Sequence, residues 1–97
     1  MDLDSKIITQ IQQISMGFSH ILKVILFGSR VRMDNSLRSD IDLLVYSDEE
    51  IYNFIEQLEE IETLLIFDVV LYNSNLEEGF LNSIAKEGVN IYEKSNL

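Results

Sequence analysis

Cysteine, proline and tryptophan are all missing from this chain. Without cysteine, disulfides and thiolate metal sites are both excluded. Without proline, and with no low-complexity tract or internal repeat, nothing marks a linker, so residues 1–97 are expected to form a single domain. Long apolar runs are missing as well, and none approaches the ~20 residues that span a bilayer. The opening MDLDSKIITQ carries no basic leader ahead of an apolar core. The expectation is a soluble, cytoplasmic protein with no membrane role. Positive charge is scarce: 7 Lys and Arg face 17 Asp and Glu, for a net charge of -10. Phosphate backbones demand clustered positive charge, so general nucleic-acid binding is not expected.

What is present is enough for one core. The chain is 46% hydrophobic, but a domain of this size buries a modest share of its surface and has no room for a separate substrate domain. A partner, or a homo- or hetero-oligomer, is therefore expected to complete any cleft. The few cations are not spread evenly. Arg30, Arg32 and Arg38 fall within nine positions of each other, which points to a local anion site in an otherwise acidic protein.

The hydrophobic pattern predicts alternating helices and strands. Leu3, Ile7, Ile11, Ile14 and Phe18 recur on one helical face over residues 2–18, with Asp2 and Asp4 at the positive end of the helix dipole and Gly17 as terminator. Ile21–Phe27 reads as a strand buried on both faces. Gly28-Ser29 begins a turn leading into a short helix through Arg32, and Asp34-Asn35-Ser36 has turn chemistry. Ile41–Tyr46 is a second strand. A second helix is expected from Ser47 to Glu62, with Ser47 or Asp48 as N-cap and Ile51, Phe54, Ile55, Leu58 and Ile61 as its buried stripe. Leu64–Tyr72 is a third strand, Leu76–Lys86 a third long helix ended by Gly88, and Val89–Tyr92 a closing strand. The pattern implies an α/β (α+β) fold: a small mixed sheet of three to four strands flanked by helices. His20 has no second histidine to share a metal and is read as structural. Glu56, Glu59, Glu60 and Glu62 fall mostly on the polar face of a helix and are read as solvated.

The chemistry concentrates between Val24 and Tyr46, VILFGSRVRMDNSLRSDIDLLVY. Glycine lets the backbone approach a ligand closely, and Ser29 at a helix start can cap it and hold a phosphate with the free amides there. Asp40 and Asp42 alternate onto one strand face with roughly 7 Å between their Cα atoms. Two carboxylates there repel each other and lose solvation unless a cation sits between them; pairing of Asp42 with one of the arginines is the competing account. Asp68 is the only charge in LLIFDVVLY and is expected to be buried, and so to need a cation, metal or arginine. Three carboxylates from two strands suit a hard cation such as magnesium.

Gly28-Ser29, ten residues, then Asp40-x-Asp42 resembles the signature of the polymerase beta-like nucleotidyltransferases. The flanking LFGSRVR and SDIDLLV are similar to the minimal nucleotidyltransferases (MNT), a bacterial and archaeal single-domain group. The leading helix, the aspartate of the third strand and the closing GVNIYE fall where that group places them. The resemblance implies the nucleotidyltransferase fold, with Asp40 and Asp42 holding two Mg2+ ions, one of them shared with the triphosphate of ATP. It implies that Asp68 binds the second ion and activates the attacking hydroxyl. Gly28 and Ser29 then cradle the β- and γ-phosphates, and Arg30 adds positive charge. Many members resemble antitoxins, encoded beside a small helical HEPN-type toxin, that transfer AMP from ATP to a tyrosine of that toxin. The group usually has glycine soon after the second arginine of the loop; Met33-Asp34-Asn35 stands here instead, which bears on the acceptor.

Three functions are weighed on this basis. The first is a magnesium-dependent adenylyltransferase acting on a HEPN-family partner. The second is an antitoxin or scaffold that neutralises its partner by contact, with a vestigial site. The third, a small-molecule nucleotidyltransferase, is weakened by the missing acceptor-binding domain.

Overall fold

The computed structural model describes residues 3–32 and 40–95. Eight elements follow in order: α1 (Ser5–Met16), β1 (Ile21–Phe27), α2 (Ser29–Arg32), β2 (Ile41–Ser47), α3 (Tyr52–Glu59), β3 (Phe67–Leu71), α4 (Glu78–Glu87) and β4 (Val89–Glu93). The four strands form one mixed sheet in the order β3-β2-β1-β4. β1 runs antiparallel to both β2 and β4, while β2 and β3 are parallel and joined through α3. The Asp34-Asn35-Ser36 turn, Arg38 and the Met33 segment lie outside the described residues.

α1 starts at Ser5, later than the expected Asp2, because Asp4 is the cap: its carboxylate accepts from the Lys6 amide at 2.8 Å. The apolar stripe turns Ile11 fully into the core, with Ile7, Ile14 and Phe18 packed around it. Ser15 is also buried; its hydroxyl donates to the Ile11 carbonyl at 2.7 Å, which removes the cost of an unsatisfied polar group. Gly17 closes the helix by donating to the Ile14 carbonyl.

The expected start of the second long helix is wrong by about a turn. Ser47 is instead the last residue of β2, and its hydroxyl accepts from the Glu49 amide at 3.2 Å and donates to the Glu49 carbonyl at 2.7 Å. That local turn removes Ser47 as a cap, and α3 begins at Tyr52, whose amide is taken by the Glu50 carboxylate at 2.7 Å. The predicted stripe nevertheless packs: Phe54 and Leu58 are fully buried.

One face of the sheet carries the main core. Ile21, Val24 and Leu26 of β1 and Ile41, Leu43 and Val45 of β2 are fully buried beneath α1 and α3. The opposite face is partly covered by α4, through an edge-to-face pair of Phe27 and Phe80 at 5.4 Å. α4 ends against β1 at Gly88, where a Cβ would stand 2.7 Å from Ile25 Cγ2 and 2.6 Å from the Ile84 carbonyl oxygen.

β3 is shorter than the expected Leu64–Tyr72 and lies at the edge of the sheet. Asp68 is exposed, which corrects the expectation that it is buried. An apolar run says nothing about which strand ends up outermost, and at an edge the carboxylate keeps its water.

Candidate functional site

The strand register assembles the site. Phe27 at the end of β1 stands opposite Asp42, and Asp42 stands opposite Asp68 across the parallel β2–β3 pair. Partners in register share a face, and neighbouring strands lie about 4.8 Å apart, so the two carboxylates stand side by side. Asp40, two residues before Asp42, falls on the same face by alternation. Asp40 and Asp42 are half-buried, and Asp68 is open to solvent.

Gly28 ties the turn to these carboxylates. Its φ of 84° lies in the left-handed region that disfavours side chains. A Cβ there would run into the Asp42 carboxylate, standing 3.1 Å from its Cγ. The missing side chain therefore lets backbone and carboxylate meet. The turn then passes into α2 at Ser29, where the Val31 amide donates to the Gly28 carbonyl at 3.1 Å. Arg30, the next residue, is only 7% exposed, so a permanently charged guanidinium is held within the fold two residues from Gly28.

The donors are hard carboxylate oxygens of the kind that suits magnesium. Among the described residues, no group of three or more His, Asp or Glu side chains is gathered closely enough to enclose a metal ion. Magnesium seldom uses an all-protein cage; it is held by one or two carboxylates, with waters and substrate phosphates filling the other positions. An Asp42–Asp68 pair beside a glycine turn, with Asp40 on the same face, fits that mode of binding.

The other acidic and basic candidates fall elsewhere. Glu56, Glu59, Glu60 and Glu62 are exposed, in keeping with a solvated helix face. His20 stacks edge-on against Phe18 at 5.6 Å and lies 3.4 Å from a Glu49 carboxylate oxygen, away from the Gly28 turn. The sequence pattern reads Phe80 and Ile84 only as the apolar face of the last helix; with Phe27, Ser83 and Glu87 they also wall a cavity of about 260 Å³ against Gly28. The pattern misses Tyr46 and Tyr72, whose rings stack at 4.4 Å on the carboxylate face. Neither pair is close in sequence: the packing of α4 on β1 brings Phe80 to Phe27, and the pairing of β2 with β3 brings Tyr72 to Tyr46. Burial, with the neighbouring Tyr72 hydroxyl, holds the Tyr46 phenol above its ordinary value of 10.0.

Solved structures share this arrangement of elements. A crystal structure of a toxin–antitoxin with AMP-PNP matches with a TM-score of 0.69 at 16% identity, covering 96% of this chain and 76% of that one. A protein from Sulfolobus solfataricus assigned as a nucleotidyltransferase matches with a TM-score of 0.55 at 21% identity, covering 92% of this chain and 79% of that one. At these identities the likeness concerns the fold. No curated protein matches the sequence. No helix among the described residues is long and apolar enough to cross a membrane. The family assignment rests on residues 9–97, which match the family described as "Polymerase beta, Nucleotidyltransferase". With nearly the whole chain matched and the glycine turn set against the aspartate pair, this protein belongs to the polymerase beta nucleotidyltransferases, a family of transferases.

Proposed function

We propose that the chain transfers AMP from ATP to a hydroxyl group of a partner protein in the presence of Mg2+. The partner is a HEPN-type toxin, the acceptor one of its tyrosines, and the chain its antitoxin. The observation that carries this reading is the contact of Gly28 with Asp42, with Asp68 alongside in register, in a chain of this family. A fold neighbour that is a toxin–antitoxin with AMP-PNP supports it.

Each residue then has a role. The turn at Gly28 and Ser29 receives the β- and γ-phosphates, and Arg30 supplies positive charge close by. Asp40, Asp42 and Asp68 would hold Mg2+, which would neutralise charge on the attacking and leaving oxygens. The acceptor oxygen forms a bond to the α-phosphorus as the bond to the bridging oxygen of the β-phosphate breaks. Pyrophosphate leaves, and the hydroxyl proton passes to a carboxylate oxygen of Asp68. The exposure of Asp68 leaves it open to an acceptor brought by another molecule. Positioning and charge neutralisation supply most of the rate in such transfers.

The test is incubation of the chain with labelled ATP, Mg2+ and the product of the adjoining gene. Wild type is expected to label that protein, and Asp42→Ala to label it more slowly by about two orders of magnitude or more. Absence of transfer by wild type, or undiminished transfer by Asp42→Ala, removes the reading. A second reading, neutralisation by contact alone, is favoured by the lack of an enclosing carboxylate group among the described residues. It requires that alanine variants of Asp40, Asp42 and Asp68 still silence the toxin in full.

A further inference from the structure

The half of the sheet that carries Asp42 and Asp68 is incompletely covered. α4 rests on β1 through Phe80; on the same face Leu44 of β2 is fully buried, Asp42, Tyr46 and Val70 are half-buried, and Asp68 and Tyr72 at the β3 edge are exposed. Between α4 and this face runs a groove of about 390 Å³, with Lys23, Leu44, Tyr46 and Tyr72 on the sheet side and Leu81 and Ala85 on the helix side; the Lys23 ammonium lies over the Tyr46 ring, 5.6 Å from its centre. Along β3 the backbone pairing extends past the strand ends, since the Ile66 carbonyl accepts from Ile41 and the Tyr72 amide donates to Val45, both at 2.8 Å. Alternation therefore places Ile66, Asp68, Val70 and Tyr72 on one face, the face of Asp42. Ile66 is 68% exposed, and Leu64, in the bend that leads into β3, is fully exposed. Among the described residues β3 pairs only with β2, which leaves its outer edge open as well.

Charge decides what can cover this surface. Lys23, on β1, stands in the groove, but from Ser39 to Ala85, the stretch that supplies the exposed row and its surroundings, the sequence contains no Lys, Arg or His, and twelve Asp and Glu. Glu59, Glu60 and Glu62 precede the exposed row and Glu77 and Glu78 follow it, all exposed. A second copy of the chain would set one such acidic surface against another, and like-charge juxtaposition disfavours that contact.

We propose that the Leu64–Tyr72 row and the groove beside it are the docking surface for the protein acceptor, whose matching surface is apolar at its centre and ringed by Lys and Arg. Docking there brings a hydroxyl of the partner beside Asp68, the exposed carboxylate in the middle of the row. The inference rests on the proposed transfer to a protein hydroxyl and specifies how that protein is recognised. Apolar side chains at the centre supply affinity, and the acidic rim supplies the association rate and the choice of partner.

The experiment compares wild type, Leu64→Ser/Ile66→Ser and Glu59→Lys/Glu60→Lys/Glu62→Lys in binding the purified product of the adjoining gene. AMP transfer and binding of Mg2+ with AMP-PNP are measured alongside. The serine pair, at exposed positions, is expected to lose roughly tenfold or more in affinity for the protein and to bind the nucleotide as wild type does. The lysine triple is expected to associate more slowly and with less dependence on salt. Wild-type affinity in both variants overturns the docking surface while leaving transfer intact. A wild-type dimer that the serine pair dissociates also overturns it, in favour of a second copy. Wild type that neither binds nor modifies the protein overturns the functional reading itself.

Discussion

At Gly28 the backbone turns at a φ of 84° directly against the Asp42 carboxylate. Gly28→Ala meets both obstacles, since an L side chain is strained there by about 1–3 kcal/mol and its Cβ must push Asp42 aside. The variant is expected to melt at lower temperature and to bind Mg2+ with AMP-PNP more weakly than wild type, which thermal unfolding and calorimetry would measure. Wild-type values on both counts would mean that the turn relaxes freely. Tyr46 gives a second prediction at this scale. Its raised folded-state value means that the folded protein keeps the phenolic proton to higher pH than the unfolded chain does. The associated stability is fully present below pH 10 and is lost as pH rises through the folded value. Tyr46→Phe should show a smaller alkaline loss of stability in melts taken across that range, whereas an unchanged alkaline slope would contradict the shift.

Among the elements, α4 and β3 decide the shape of the site, and they differ in how far they could be read from residues. The limits of β1, Ile21–Phe27, follow from an apolar β-branched run stopped by glycine. The N-terminus of α3 does not follow from its residues, because Ser47 has two local hydrogen-bonding options and the turn with Glu49 wins. The exposure of Asp68 was also out of reach, since position in the sheet is set by the order of strands and not by the composition of one of them. The aspartate was identified as a candidate for a reason that fails, while its register opposite Asp42 supplies a better one. Gly88 shows the same dependence on tertiary contact: it reads as a helix terminator, yet its missing Cβ also admits Ile25. Gly88→Ala is expected to cost about 1–3 kcal/mol through overpacking between α4 and β1, measurable by denaturant unfolding. A loss of only a few tenths would show that α4 shifts without consequence.

For the whole molecule, composition and motif spacing made the fold class and the family legible, but not the segregation of charge around the exposed row. With a net charge of -10, the chain should meet a basic partner faster at low ionic strength, and the association rate should fall as salt rises. Stopped-flow association with the adjoining gene product would measure this, and a rate indifferent to salt would contradict it. The central claim is narrower and needs no partner: the Gly28 turn and the aspartates of β2 and β3 form one site for a metal-bound nucleotide. Calorimetric titration with AMP-PNP, with and without Mg2+, in wild type and Asp42→Asn tests it most directly. The account predicts binding by wild type that depends on Mg2+ and is lost in Asp42→Asn. Binding that is indifferent to Mg2+, or that survives the substitution, would contradict it.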